Sequence, residues 1–247
     1  MSRLTQVAAG VGACALLVGT AAAPGGNGIE DEPAHVIAEK GRQSLLDARS
    51  LRWQGPAKDD TDTYAVDFRL DRKGNCVGTA VLAPNKGRVQ IIKHGKDVWT
   101  KPDAALLAEQ FSEGIATLVL RELNGRWLHL RLDDPEDAPA FVASCDVSYL
   151  QRRFMAKPFT EDDVAKGGKA LVKGAPAITV TGRSGADRAT LYVATEGKPL
   201  LLRIQGKIGG TQDGAYFSEY DKPVPSKTPS PAESVDESEF WKVKPAD

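Results

Sequence analysis

Of 247 residues, only three are cysteine, three histidine and two methionine. Three cysteines are too few for a disulfide-stapled mini-protein and, by themselves, for a structural zinc site. His35, His94 and His129 fall on a predicted helix start and two separate strands. No His-x-x-His or His-Glu-x-x-His spacing exists, so no metal site is expected. An excess of either charge is also missing: 32 Lys plus Arg balance 33 Asp plus Glu, a net charge of −1. That balance argues against a nucleic-acid partner, which calls for a basic surplus, and against a disordered acidic chain. There is no Gly-x-Ser-x-Gly elbow. Gly167-Gly168 and Gly209-Gly210 lack the strand–loop–helix setting of a phosphate loop. The pairs Asp59-Asp60, Asp133-Asp134 and Asp162-Asp163 read as solvated loop or cap residues rather than glycosidase carboxylates. The sequence therefore points to neither an enzyme nor a cofactor.

What is present begins with 24 glycines and 15 prolines, a composition suited to β-structure with many turns. Between Leu4 and Ile29 no charged side chain occurs, and Arg3 precedes an apolar run from Val7 to Ala23. A short basic start, an apolar middle and small residues at the end describe a secretory signal peptide. The small residues Thr20, Ala21 and Ala22 favour cleavage after Ala22, giving a signal over residues 1–22 and an exported protein. An uncleaved membrane anchor is the alternative, since the run is about long enough to span a bilayer. Val11-Gly12-Ala13-Cys14 loosely matches a lipobox. The chain stays apolar for nine residues beyond Cys14, which favours a cysteine acting as a small hydrophobe within the signal. Lipid anchorage applies only if Cys14 is modified. Export leaves Cys76 and Cys145 as an even pair in an oxidising compartment, so a disulfide between them is expected, with two buried free thiols as the alternative.

Residues 23–33 read as a polar, glycine-rich linker, residues 34–222 as one folded domain and residues 223–247 as a Pro/Ser/Glu-rich tail. From Ala34, the spacing of Ile37, Gly41, Ser44, Leu45 and Ala48 predicts an amphipathic helix. Tyr64, Val66, Phe68 and Leu70 alternate with polar neighbours, the cleanest period-two signal in the chain. Further short strands follow, interrupted by a helical block at Leu107, Phe111, Ile115, Leu118 and Glu122, which stops at Asn124-Gly125. Asp146 is placed to cap another helix. The total is about eleven strands in one antiparallel system with three inserted helices, an α+β class.

Several stretches together resemble exported actinobacterial lipoproteins of the LppX/LprG kind, related in fold to the carrier LolA. They are AEKGRQSLLDARSLRWQG, YAVDFRLDRKGNCVGTAV, GKDVWTKPDAAL, TLYVATEGKPLLLRI and SEYDKPV. The resemblance covers nearly all of Ala34–Pro225 and implies a single curved, half-open antiparallel sheet whose concave face is covered by helices. It also implies a gap that holds acyl chains. The partner would then be a hydrophobic ligand or lipid, with the membrane surface as a second candidate. The inward positions expected to line the gap are Val66, Phe68 and Leu70, Leu130 and Leu202 on later strands, and Leu107, Phe111, Ile115 and Leu118 on the covering helices. The alternative is an envelope interaction or signalling module on the same fold, its gap filled by side chains.

Overall fold

The computed structural model describes residues 25–58, 63–82, 86–133, 140–155, 158–184, 187–208 and 211–240. The expected signal peptide over 1–22, Cys14 included, lies outside them. Twelve strands form one open sheet in the order β12-β6-β5-β4-β3-β2-β1-β11-β10-β9-β8-β7. The first meander, β1 (Ser50–Lys58), β2 (Thr63–Asp71), β3 (Cys76–Leu82), β4 (Arg88–His94), β5 (Asp97–Pro102) and β6 (Trp127–Arg131), steps outward from the centre. The second, β7 (Val164–Val172), β8 (Ala175–Ser184), β9 (Asp187–Ala194), β10 (Leu201–Ile208) and β11 (Thr211–Ser218), begins at the opposite margin and returns to the centre. There β11 pairs antiparallel with β1, Trp53 opposite Phe217. The α+β class and the half-open antiparallel sheet are as expected, with one more strand than foreseen.

Period-two patterning does what physics requires of a half-buried strand. Tyr64, Val66, Phe68 and Leu70 are buried while Ala65, Asp67 and Arg69 face outward. Over the inner face lie α1 (Ala34–Asp47), α4 (Ala140–Ala143) and α5 (Val147–Met155), with Asp146 accepting from the Ser148 amide at 2.7 Å as an N-terminal cap. Helix α1 buries Ile37, Ala38, Gly41 and Leu45 across the second meander. Gly41 is needed for this approach, since a Cβ there would meet Val193 Cγ2 at 2.8 Å. The last carbonyls of α1 accept from the Arg72 guanidinium and from Gln151. Cys76, at the start of β3, is bonded to Cys145, between α4 and α5, with their Cα atoms 5.6 Å apart. That bond ties the helical layer to the sheet.

Parts of the segments expected as a linker (23–33) and as a tail (223–247) pack against the domain. Within 23–33, Asn27 donates to the carbonyls of Ala194 (3.0 Å) and Gly197 (3.1 Å), and Ile29 is buried in the main core. Within 223–247, Ser234–Asp236 forms β12, parallel to β6, and Glu237–Phe240 forms the short helix α6. In both, one or two apolar side chains find a place at the domain's margin, which outweighs a composition typical of loops.

The outer face of the central strands carries an ion-pair lattice. The Arg52 guanidinium donates to Asp67 (2.7 and 2.6 Å) and that of Arg69 to Glu219 (2.7 and 3.1 Å). Those charge-assisted bonds hold the Asp67 and Glu219 carboxyls below their ordinary values of 3.8 and 4.5. A carboxyl depressed in the folded state stabilises the fold above its ordinary value, and the gain is lost as pH falls through the folded value. The urea midpoint should therefore drop below about pH 4, and less steeply in Asp67→Asn than in the parent. Reducing Cys76–Cys145, or replacing both by Ser, should cost about 4 kcal/mol in urea unfolding, the value for a loop of this length.

Candidate functional site

The interior divides into two apolar clusters. The larger lies between the sheet and α1, α4 and α5, and is closed: Trp53, Phe68 and Leu70 have no exposed surface. Trp53 packs edge-on to Phe68 (6.3 Å) and beside Tyr149 (6.0 Å). Its Nε1 has no hydrogen-bond partner among the described residues, a buried donor left unsatisfied.

The smaller cluster lies at the β6 margin. It is roofed by α2 (Ala104–Gln110) and α3 (Glu113–Leu123) and floored by Leu128 of β6 and Val235 of β12. Asp103 caps α2, accepting from the Leu106 amide at 2.9 Å. Gly87, in the left-handed half of backbone space at φ 115°, lets the β3–β4 loop pass against α2, where a Cβ would fall 2.1 Å from the Leu106 amide nitrogen. Leu107, Ala116, Val119, Leu123 and Phe240 are buried here, with Phe111 and Ile115 half-buried beside them.

The nine expected lining residues are thus split rather than brought together. Val66, Phe68 and Leu70 belong to the closed cluster, and Leu130 packs partly buried against it. Leu107, Phe111 and Ile115 belong to the marginal one. Leu118 is half-buried on α3, and Leu202 half-buried on β10, where Leu201 and Ile204 supply the buried positions. Two local breaks explain the offsets. The helical block stops at Phe111, whose backbone turns extended, and restarts at Ser112, so α3 buries Ala116, Val119 and Leu123 instead of positions one residue earlier. The register of β10 shifts between Leu201 and Arg203, which takes Leu202 off the inward row.

Among the described residues no group of His, Cys, Asp or Glu could hold a metal ion, and no helix is long and apolar enough to cross a membrane. His129, on the outer side of β6, is stacked on Trp99 at 4.8 Å between two carboxylates. Its Nε2 is 3.1 Å from Asp97 Oδ1 and its Nδ1 3.6 Å from Asp236 Oδ2.

The two clusters should respond differently to truncation. Phe68→Ala opens a void in a closed interior and should cost about 3–5 kcal/mol in urea unfolding. Ile115→Ala, half-exposed, should cost less than about 1.5 kcal/mol.

The sequence matches no family model and no curated protein. Among solved structures it is similar to LprF from Mycobacterium bovis, at 12% identity over 80% of this chain and 97% of that one, with a TM-score of 0.50. The lipoprotein LppX from Mycobacterium tuberculosis also matches, at 15% identity over 78% and 98%, with a TM-score of 0.48. At such identities the likeness is one of fold, and in its fold the chain is similar to LprF.

Proposed function

We propose that this is a non-enzymatic, exported envelope protein that binds a hydrophobic ligand, an acyl chain or lipid, in the gap between α2–α3 and the β6 margin of the sheet. The observation that carries this reading is the separate apolar cluster there, with Phe111, Ile115 and Leu128 only partly covered at its rim. Large apolar side chains left half-open between a helical roof and a sheet invite an apolar guest. Each methylene moved into such a gap yields about 0.8 kcal/mol, so affinity needs no catalytic or charged group. The Cys76–Cys145 disulfide fits an oxidising compartment and so supports export.

A second reading, an interaction module without a ligand, draws support from the zero exposure of Trp53 and of Phe68 and Leu70, two of the side chains expected to line the gap. It places the function on the surface.

Ile115→Asp separates the two. Ile115 is half-buried, so the variant should keep the parent's circular dichroism, and a carboxylate facing an acyl chain should weaken binding of a fluorescent fatty acid at least about tenfold. Failure of the parent to bind that probe would sink the carrier reading and leave the interaction module.

A further inference from the structure

The marginal cluster is completed by the far end of the chain. After β11 ends at the centre of the sheet, the backbone runs from 219 to 230 without helix or strand, makes one 3-10 turn at Pro231–Glu233, and adds β12 to β6. Ser230 and Glu233 cap that turn reciprocally, so it keeps its own local order. On the inner side, Val235 lies opposite Leu128, and Phe240 is 9% exposed among Leu107, Ala116, Val119 and Leu123. On the outer side, Asp236 faces His129.

We propose that residues 234–240 are a displaceable strap, with Phe240 occupying the place that a ligand's acyl chain takes beneath α2–α3. The proposal rests on the hydrophobic-ligand reading above and adds to it a competitor built into the chain. Three observations favour a removable segment over a fixed one. Strand β12 has three residues, and its pairing with β6 is parallel, the less stable arrangement per residue. It sits at the end of the strand order with β6 as its one neighbour. Among its docking contacts are the Val235 and Phe240 side chains inside and a carboxylate–imidazole contact outside, none of them covalent. The side chains clustered with Phe240, Leu107, Ala116, Val119 and Leu123, are all apolar, so the class of molecule able to replace it is a long acyl chain rather than a polar metabolite. Strap and ligand exclude each other, and the measured affinity is the intrinsic one reduced by the fraction of molecules with the strap undocked.

The test uses the full-length mature chain and cis-parinaric acid as probe, with hydrogen exchange followed at residues 234–236. Phe240→Ala removes an inner contact. Asp236→Asn weakens the outer one while leaving the apolar wall untouched. Both variants should bind the probe roughly tenfold more tightly than the parent, and saturating probe should accelerate exchange at 234–236 in the parent. Equal affinities with unchanged exchange would overturn the strap and leave ligand binding standing. Weaker binding by Phe240→Ala, with circular dichroism unchanged, would make Phe240 part of the wall and likewise overturn the strap. No binding by parent or variants would remove the ligand reading, and the strap with it.

Discussion

The pairing of β1 with β11 is the constraint on which the rest of the molecule depends. Each meander is local, strand following neighbouring strand. What makes them one sheet is a register of three residue pairs, Arg52 with Ser218, Trp53 with Phe217 and Gln54 with Tyr216. The middle pair faces inward and places two large rings, both buried, at the centre of the core. The outer pairs sit beside the Arg52–Asp67 and Arg69–Glu219 lattice. A short seam is thus reinforced on both faces, by apolar packing on one and charge-assisted bonds on the other. Its contacts are far apart in sequence, so joining the meanders carries the largest single loop-closure cost among the strand pairings.

Joining at the centre also divides the apolar interior in two. Helices α1, α4 and α5 press on the middle strands and the second meander, and the disulfide draws the α4–α5 connection onto β3. The middle side chains are therefore buried. Helices α2 and α3 arise from the β5–β6 connection at the far margin, where the sheet has few further strands to cover. A second, thinner apolar layer follows from that placement, and its completion falls to the tail.

Much of this architecture was legible because half-buried strands and helices print their period on the sequence. Tyr64 to Leu70 alternated as written, and Ile37, Gly41 and Leu45 marked the buried face of α1. The disulfide followed from counting the cysteines left once residues 1–22 are read as a signal peptide. The site was less legible for reasons that are local and geometric. One extended residue at Phe111 resets the helical phase, and one irregularity in β10 moves the inward position from Leu202 to its neighbours. Neither event leaves a mark in hydropathy. The tail escaped notice because its anchors, Val235 and Phe240, are isolated among prolines, serines and glutamates, too sparse to form a periodic signal.

The two margins of the sheet are protected by different means. At β7 the register shifts between Lys166 and Lys169, and both ammonium groups reach Glu30, one its carbonyl and the other its carboxylate. A lysine-bearing, irregular margin is a poor template for another chain. At β6 the protection among the described residues is β12, which in the strap proposal can be withdrawn. A molecule whose tail has left presents the unpaired amides and carbonyls of Trp127–His129 to its surroundings. Self-association through that strand, or addition of an extended segment from another protein, then becomes a property of the unstrapped molecule and not of the strapped one.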